Sequence, residues 1–407
     1  MTIDVTGDVA EREAGHDVEA IHRGNGPVSS MPACGKVLPH DERFMRMALA
    51  MGQRTRGITW PNPSVGAVIV ADHGGVPVVV GRGATAPSGR PHAEVRALRQ
   101  AGEAARGATA YVTLEPCAHW GRTGPCALAL SEAGVARVVI GISDVNPRVA
   151  NKGVDMLRAA GVEVVSGVLA EECRQAHIGH FRRFAEGRPQ VQLKLAVSAD
   201  GFIGREGSGQ VHITGPETQR LVHIMRAEAD AIMVGIGTVL ADDPMLDVRL
   251  EGLGDRSPVR YVLDSAARLP LDSQLVKTAA QVPVKVLTTA AAPIERTTPL
   301  MKAGIEIITV PADGEGRIDV AAALSALAHR GVTRLMVEGG AQTAGSFLRS
   351  GLVDEAVIST GPEKIGQGGI APLGLEPLAA ITENPAYARV SERRLGPDRV
   401  IHYRRKE

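Results

Sequence analysis

Aromatic residues are scarce in this 407-residue chain, at 3%, which leaves few platforms on which unstacked bases could lie. Net charge is absent as well: 45 Lys plus Arg balance 45 Asp plus Glu, so no field draws in a polyanion. Both shortages disfavour a nucleic-acid partner. Cysteine is limited to Cys34, Cys117, Cys126 and Cys173, too few for a disulfide scaffold, so reduced thiols in a cytoplasmic setting are expected. No apolar run approaches the roughly 20 residues that span a bilayer, and the first forty residues lack a basic-then-apolar export pattern. A membrane partner and secretion are therefore not expected.

What is present is alternation. Residues 1–40 carry no sustained apolar stripe and read as a flexible N-terminal extension. From Asp41, DERFMRMALAMGQRT spaces its apolar residues as an amphipathic helix. VGAVIV, VPVVVG, ATAYVTL, ARVVIGI and VEVVSGVL then read as strands, with helices at HAEVRALRQAG, CALALSEAG and GVDMLRAAG. A second alternation begins near RPQVQLKLAVSADG. Its strands are QLKLAVS, AIMVGI, VRYVLD, VKVLTT, EIITV, RLMVEGG and EAVIST, with helices at PETQRLVHIMRAE, IDVAAALSALAHRG and AQTAGSFLRSG. The pattern predicts two α/β domains, 41–187 and 188–407, with the boundary near Gly187 in FAEGRPQ.

The first domain carries a metal-binding pattern. PHAEV supplies His92 and Glu94, and TLEPCAHWGRTGPC supplies Cys117 and Cys126. One imidazole and two thiolates suit zinc, and three protein ligands leave one position open for water. Glu94, two residues from His92, is placed to carry protons rather than to bind metal. Pro91 puts His92 at a helix start, and Cys117 falls where a strand ends, so both ligands should lie at one edge of the sheet. Arg122 and Thr123, beside the motif, suit a phosphate monoester, though a solvated Arg122 fits the same sequence.

The second domain offers two glycine motifs. VGIGTVLADDP lacks the third glycine and the later acidic residue of a dinucleotide fingerprint. VEGGAQTAGS runs a strand into Gly339–Gly340 and opens a helix, which would present N–H groups to an anion. A tight turn needing glycine on steric grounds alone explains the same pair. Asp242 is a candidate for proton handling, or else a turn-capping Asp before Pro244.

HAE followed by PC and a later Cys resembles the cytidine-deaminase superfamily, whose generic thiolate pair is the closer PCxxC. With residues 118–125 between Cys117 and Cys126, and with WPNPSVGAVIV, GATAYVTLEPC and ISDVNPRVANKG, the first half is similar to the phosphoribosylaminopyrimidine deaminases of riboflavin biosynthesis. LKLAVSADG, HITG, VGIGTVLADDPMLDVR, VLDSAARLP and VEGG resemble the reductase to which that deaminase is commonly fused. The resemblance covers about residue 41 to the C-terminus. It implies a three-layer cytidine-deaminase-like α/β domain followed by a dihydrofolate-reductase-like α/β domain. It also implies one Zn2+ per chain, NADPH, a homo-oligomer and a phosphoribosylaminopyrimidine substrate. By the same resemblance Asn62, His119, Arg122, Thr123, Asp144 and Asn146 would contact the deaminase substrate. Arg226, Arg249 and Glu338 would contact the reductase substrate. Lys194, His212, Thr214, Thr238, Ser265, Arg268, Gly339 and Gly340 would hold the cofactor, with Ser265 and Arg268 on the 2′-phosphate. Three features depart from the family pattern: the run DPNPxVxGxG reads DVNPRVANKG here, Thr85 stands where a His usually precedes the zinc His, and His212 stands for the Trp of WIT. Thr85 and His212 keep open a related deaminase–reductase for another heterocycle. A chain with one active domain, or a zinc-stabilised scaffold without catalysis, would fit the motifs too.

Overall fold

In the computed structural model the described residues are 35–120, 124–146, 150–207, 209 and 211–406; the expectation for residues 1–40 falls largely outside them. The first helix, α1 (Asp41–Gln53), buries Phe44, Met45 and Ala48. Its first residue is anchored from the sheet: the Arg137 guanidinium donates to both oxygens of Asp41 at 2.9 and 2.8 Å, and the Tyr111 hydroxyl donates at 2.9 Å. Removing one partner of such a buried pair leaves the other charge stranded, at a cost of about 3–5 kcal/mol.

Behind α1 lies a five-stranded sheet of order β2-β1-β3-β4-β5. Its strands are β1 (Gly66–His73), β2 (Val76–Ala84), β3 (Thr109–Val112), β4 (Arg137–Ile140) and β5 (Glu163–Ser166). β1 pairs antiparallel with β2 and β3, while β3, β4 and β5 run parallel. The short run RVVI of β4 is buried at every residue, as a parallel strand covered on both faces must be. Helices α2 (Ala93–Ala101), α3 (Cys126–Glu132) and α4 (Lys152–Ala159) follow in the predicted places. α2 lies very close to β2: a Cβ at Gly81 or Gly83 would sit 2.2 Å from Ala97 O or 2.1 Å from Ala93 O.

Two helices that the sequence pattern did not resolve, α5 (Ala170–Ala176) and α6 (Ile178–Glu186), lead to the second sheet. α6 runs through the FAE of FAEGRPQ and ends at Gly187, whose φ of +65° closes it.

The second sheet has nine strands, in the order β10-β9-β8-β7-β11-β6-β12-β14-β13. They are β6 (Gln190–Val197), β7 (Ala231–Gly235), β8 (Val259–Leu263), β9 (Val284–Thr288), β10 (Glu306–Thr309), β11 (Arg334–Val337), β12 (Glu355–Thr360), β13 (Tyr387–Leu395) and β14 (Asp398–Arg405). The first seven were expected. The last two form an antiparallel hairpin on β12, and their arginine-rich runs hid the strand pattern. Around this sheet pack α7 (Pro216–Ala227), α8 (Ile236–Asp242), α9 (Gln274–Lys277), α10 (Ile294–Lys302), α11 (Val320–His329), α12 (Ala341–Arg349) and α13 (Ala379–Thr382). One core holds Leu193, Leu335 and Phe347; a second holds Val234, Val262, Val286 and Leu300. Truncating a fully buried residue such as Phe347 to Ala should cost about 3–5 kcal/mol. No helix among the described residues is long and apolar enough to cross a membrane.

Candidate active sites

His92 adopts an extended backbone as the N-cap of α2, so its ring projects from the helix start while Glu94 turns inward and is buried. Cys117 lies in the loop after β3, and Cys126 is the first residue of α3. Their ligand atoms, one imidazole nitrogen and two sulfurs, lie within 4.8 Å of one another. His92 Nδ1 is 3.2 Å from Cys126 Sγ and 3.6 Å from Cys117 Sγ, and the Cys126 N–H points at Cys117 Sγ at 3.3 Å. Hydrogen bonds from Cys126 and then from His92 push the Cys117 thiol down to about 4, while the contact with Cys117 and burial push Cys126 up. Burial, with the Cys117 charge beside it, raises the Glu94 carboxyl to about 7. The donor set fits zinc: a structural site would use four protein ligands, whereas this one has three and a buried carboxyl alongside.

The surrounding residues are positioned by close backbone packing. Asn62, in the loop between α1 and β1, lies against Gly89, where an added Cβ would come 2.0 Å from Asn62 Nδ2. This brings Asn62 beside the segment that enters His92. Asp144 accepts a hydrogen bond from the Asn146 N–H at 2.8 Å. His119 is exposed in the loop after Cys117, and Arg122 and Thr123 lie outside the described residues. Thr85 is buried, with Oγ1 accepting the Val65 N–H at 3.0 Å, so this departure fills a structural niche between backbone segments.

Two residues of this site escaped the sequence reading. Buried Glu115 accepts N–H groups from Asp144, Asn151 and Gly153 at 3.1–3.2 Å, tying the loop before Cys117 to the loop that carries Asp144 and Asn146. His180 of α6 places Nε2 3.2 Å from Asp144 Oδ1. Glu115 stands inside LEPC, next to the thiolate motif, and could have been suspected; nothing local marks His180.

The second site is larger and more dispersed. A cavity of about 1440 Å³ opens at the carboxyl ends of β6, β7, β8 and β11, where α/β sheets place their ligands. Lys194, Arg226, Asp242, Arg249 and Glu338 all line it. So do His212, Thr214, Thr238, Ser265 and Arg268, with Gly339 and Gly340. Arg226 grips Glu338 with two hydrogen bonds, 2.6 and 2.9 Å, and donates a third to Asp247 O. Burial alone would raise Glu338, yet Arg226 and Lys194 hold it below the usual carboxylate range. Burial raises Asp242. The turn role that competed for Asp242 belongs instead to Asp243, which has a φ of +39° and accepts the Gln274 N–H at 2.8 Å. At the glycine pair, the Gly340 N–H is taken by Thr238 Oγ1 at 3.2 Å, and a Cβ on Gly340 would come 2.8 Å from that oxygen. A side chain at Gly340 would therefore press on the Thr238 hydroxyl. His212 is exposed at the cavity rim.

A His/Cys/Cys centre with a buried glutamate, on a five-stranded α/β sheet, joined to a cavity on a nine-stranded sheet, defines a zinc-type deaminase fused to a reductase. Residues 38–142 match the cytidine and deoxycytidylate deaminase zinc-binding region, and residues 189–398 match the RibD C-terminal domain. The chain is 38% identical to riboflavin biosynthesis protein RibD of Aquifex aeolicus, over 90% of this chain and 98% of that one. It is also 38% identical to that of Escherichia coli, over 89% and 98%. RibD of Acinetobacter baumannii aligns with a TM-score of 0.79 at 34% identity, over 90% of this chain and 99% of that one. A Thermotoga maritima diaminohydroxyphosphoribosylaminopyrimidine deaminase/5-amino-6-(5-phosphoribosylamino)uracil reductase aligns at 0.77 and 31%, over 90% and 99%. The chain belongs to the RibD family, and is a bifunctional riboflavin-biosynthesis enzyme with a deaminase and a reductase domain.

Proposed function

We propose that this chain deaminates 2,5-diamino-6-ribosylamino-4(3H)-pyrimidinone 5′-phosphate and then reduces the ribosyl side chain to ribityl with NADPH. The carrying observation is Glu94, buried beside three clustered zinc-type ligand atoms. The halves divide near Gly187, and His92, Cys117 and Cys126 hold one Zn2+. A bound Zn2+ supplies Lewis acidity that makes water a nucleophile at neutral pH. Glu94, with its carboxyl near neutrality, moves protons from the attacking water to the departing amino group. Asn62, Asp144, Asn146 and His119, with Arg122 and Thr123, orient the pyrimidine and its ribosyl phosphate.

In the reductase half the nicotinamide supplies the hydride. Lys194, Thr214, Thr238, His212, Gly339 and Gly340 line the cofactor's side of the cavity, and Ser265 and Arg268 take its 2′-phosphate. Arg226, Arg249 and Glu338 hold the substrate, and Asp242 handles its proton. Holding both reactants in one cavity makes hydride transfer effectively unimolecular. A cytoplasmic homo-oligomer without a nucleic-acid or membrane partner fits the balanced charge and the three free thiols among the described residues.

The test supplies the diaminopyrimidinone phosphate with NADPH to zinc-loaded protein and follows ammonia release and NADPH oxidation. Both should appear. Glu94→Gln should abolish ammonia release at unchanged zinc content. Absence of both signals from wild-type protein would overturn the substrate, in favour of another heterocycle.

A further inference from the structure

Loop 54–65 between α1 and β1 carries Asn62 and lies against the second half of the chain. Its tip is a turn in which the Asn62 N–H donates to Thr59 O at 3.1 Å and Thr59 Oγ1 donates to Asn62 O at 3.0 Å. Residues of the reductase half pin the chain ahead of that turn and at Pro61 within it. Ahead of it, Arg256 donates from Nη2 to Arg54 O at 3.2 Å and to Arg56 O at 2.7 Å. Gly57, at a φ of +78°, approaches so closely that a Cβ would lie 2.4 Å from Ala227 O. Within the turn, Pro61 rests on Gly331, where an added Cβ would come 2.7 Å from Pro61 Cβ. From the deaminase half, the Ser88 N–H donates to Ile58 O at 2.8 Å, and Gly89 packs against Asn62 itself.

The same seam is tight elsewhere. Gly179 of α6 would, with a side chain, meet Thr333 O at 2.4 Å. Arg334 donates to Ala176 O at 3.0 Å, and Arg183 donates to Ala328 O at 2.8 Å. Close backbone approaches at Gly57 and Gly179, with arginine side chains bridging to opposing carbonyls, leave the two halves little freedom to slide, because close-packed interfaces transmit small displacements.

We infer that the reductase half completes the deaminase site, with Arg256 and Gly331 acting as positioning residues that fix the turn presenting Asn62 to the pyrimidine. This rests on the assignment of Asn62 to the deaminase substrate. The fusion then does more than tether two activities: the geometry of the first site is built partly from the second domain. Arg256 suits this role because one guanidinium nitrogen donates to two loop carbonyls at once, bracketing Thr55 just ahead of the turn.

The experiment measures deaminase and reductase kinetics on the full zinc-loaded chain for Arg256→Ala, Arg256→Lys, Gly331→Ala and Asn62→Ala. Substrate is the diaminopyrimidinone phosphate for ammonia release and its deaminated product for NADPH oxidation. Arg256→Ala should raise the deaminase KM roughly tenfold, the weight of lost charged hydrogen bonds. Its deaminase kcat should stay within about twofold, the signature of lost binding rather than lost chemistry. Arg256→Lys should recover most of the loss, and Gly331→Ala should shift KM in the same direction. Unchanged reductase kinetics in each variant certify folding. An unchanged deaminase KM in Arg256→Ala and Gly331→Ala, with KM raised by Asn62→Ala, overturns the positioning role alone. An unchanged KM in Asn62→Ala overturns the Asn62 assignment, and with it the inference.

Discussion

The two sites are assembled in opposite ways. The deaminase centre takes its metal ligands and its carboxyl from two short runs, PHAEV and the PC…C loop, and brings the three ligand atoms within 4.8 Å of one another. The reductase cavity recruits residues from Lys194 to Ile370 across four strand ends and spans about 1440 Å³. A compact centre concentrates its chemistry in few atoms, so single changes there should be all-or-none. A dispersed cavity shares binding among many groups, so single changes there should be graded.

The strongest attempt to break this contrast is Cys117→Ser. Loss of one thiolate should remove zinc and lower ammonia release by at least about 10³-fold, while reduction continues. Zinc content and the two rates, measured on one preparation, check it; a parallel collapse of reduction would end the two-site description. Arg226→Ala probes the other side. It leaves Glu338 buried without its guanidinium partner and should cost about 3 kcal/mol of stability, with reduction falling and deamination retained below the new melting point. Calorimetry with both assays decides it.

Acid should separate the halves more gently. His177, buried with Nε2 on Thr113 Oγ1 at 3.0 Å, is pushed down to about 3 by burial and the neighbouring cations. The unfolded chain therefore binds the extra proton first, and the stability tied to His177 falls as pH drops from 6.5 toward 3. Glu355 behaves differently. Burial would raise it, but His402 and Arg404 hold it down to about 2, so its contribution is lost only as pH falls from 4.5 toward 2. Melting temperatures across pH 7 to 4 should drop for wild type and flatten for His177→Gln, which keeps a group near Nε2; an equal slope in both would count against the assignment. The smallest effect belongs to Thr85→Ala, which loses a buried hydrogen bond worth about 1 kcal/mol and should leave the deaminase KM unchanged.

Much of this was legible in the sequence because apolar spacing reports local structure directly. VGAVIV, AIMVGI and EAVIST are strands as their buried runs imply, and His92 caps a helix because Pro91 precedes it. The zinc-type cluster was legible for the same reason: its residues sit in two short motifs. β13 was missed because YARVSERRL packs little of either face, β14 because arginines flank its buried Val–Ile–Tyr run, and α8 was masked by the glycines of VGIGTV. Glu115 and His180 were missed because their importance lies in which distant backbone or carboxylate they meet. The seam was invisible altogether. Gly57, Gly179 and Gly331 look like ordinary turn or helix glycines until the opposing backbone, or for Gly331 the Pro61 ring, is seen within 3 Å of where a Cβ would stand.

The crowding of α2 on β2 has a practical corollary for anyone diversifying this enzyme. Gly81 and Gly83 are closed to mutagenesis libraries, since every other side chain would lift the helix that carries His92 and Glu94. A few residues away on the same hairpin, a Cβ at Gly74 or Gly75 would meet nothing within 4 Å. The tip of β1–β2 thus has room for an inserted affinity tag, provided Gly74 and Gly75, at φ +66° and +86°, are kept as glycines.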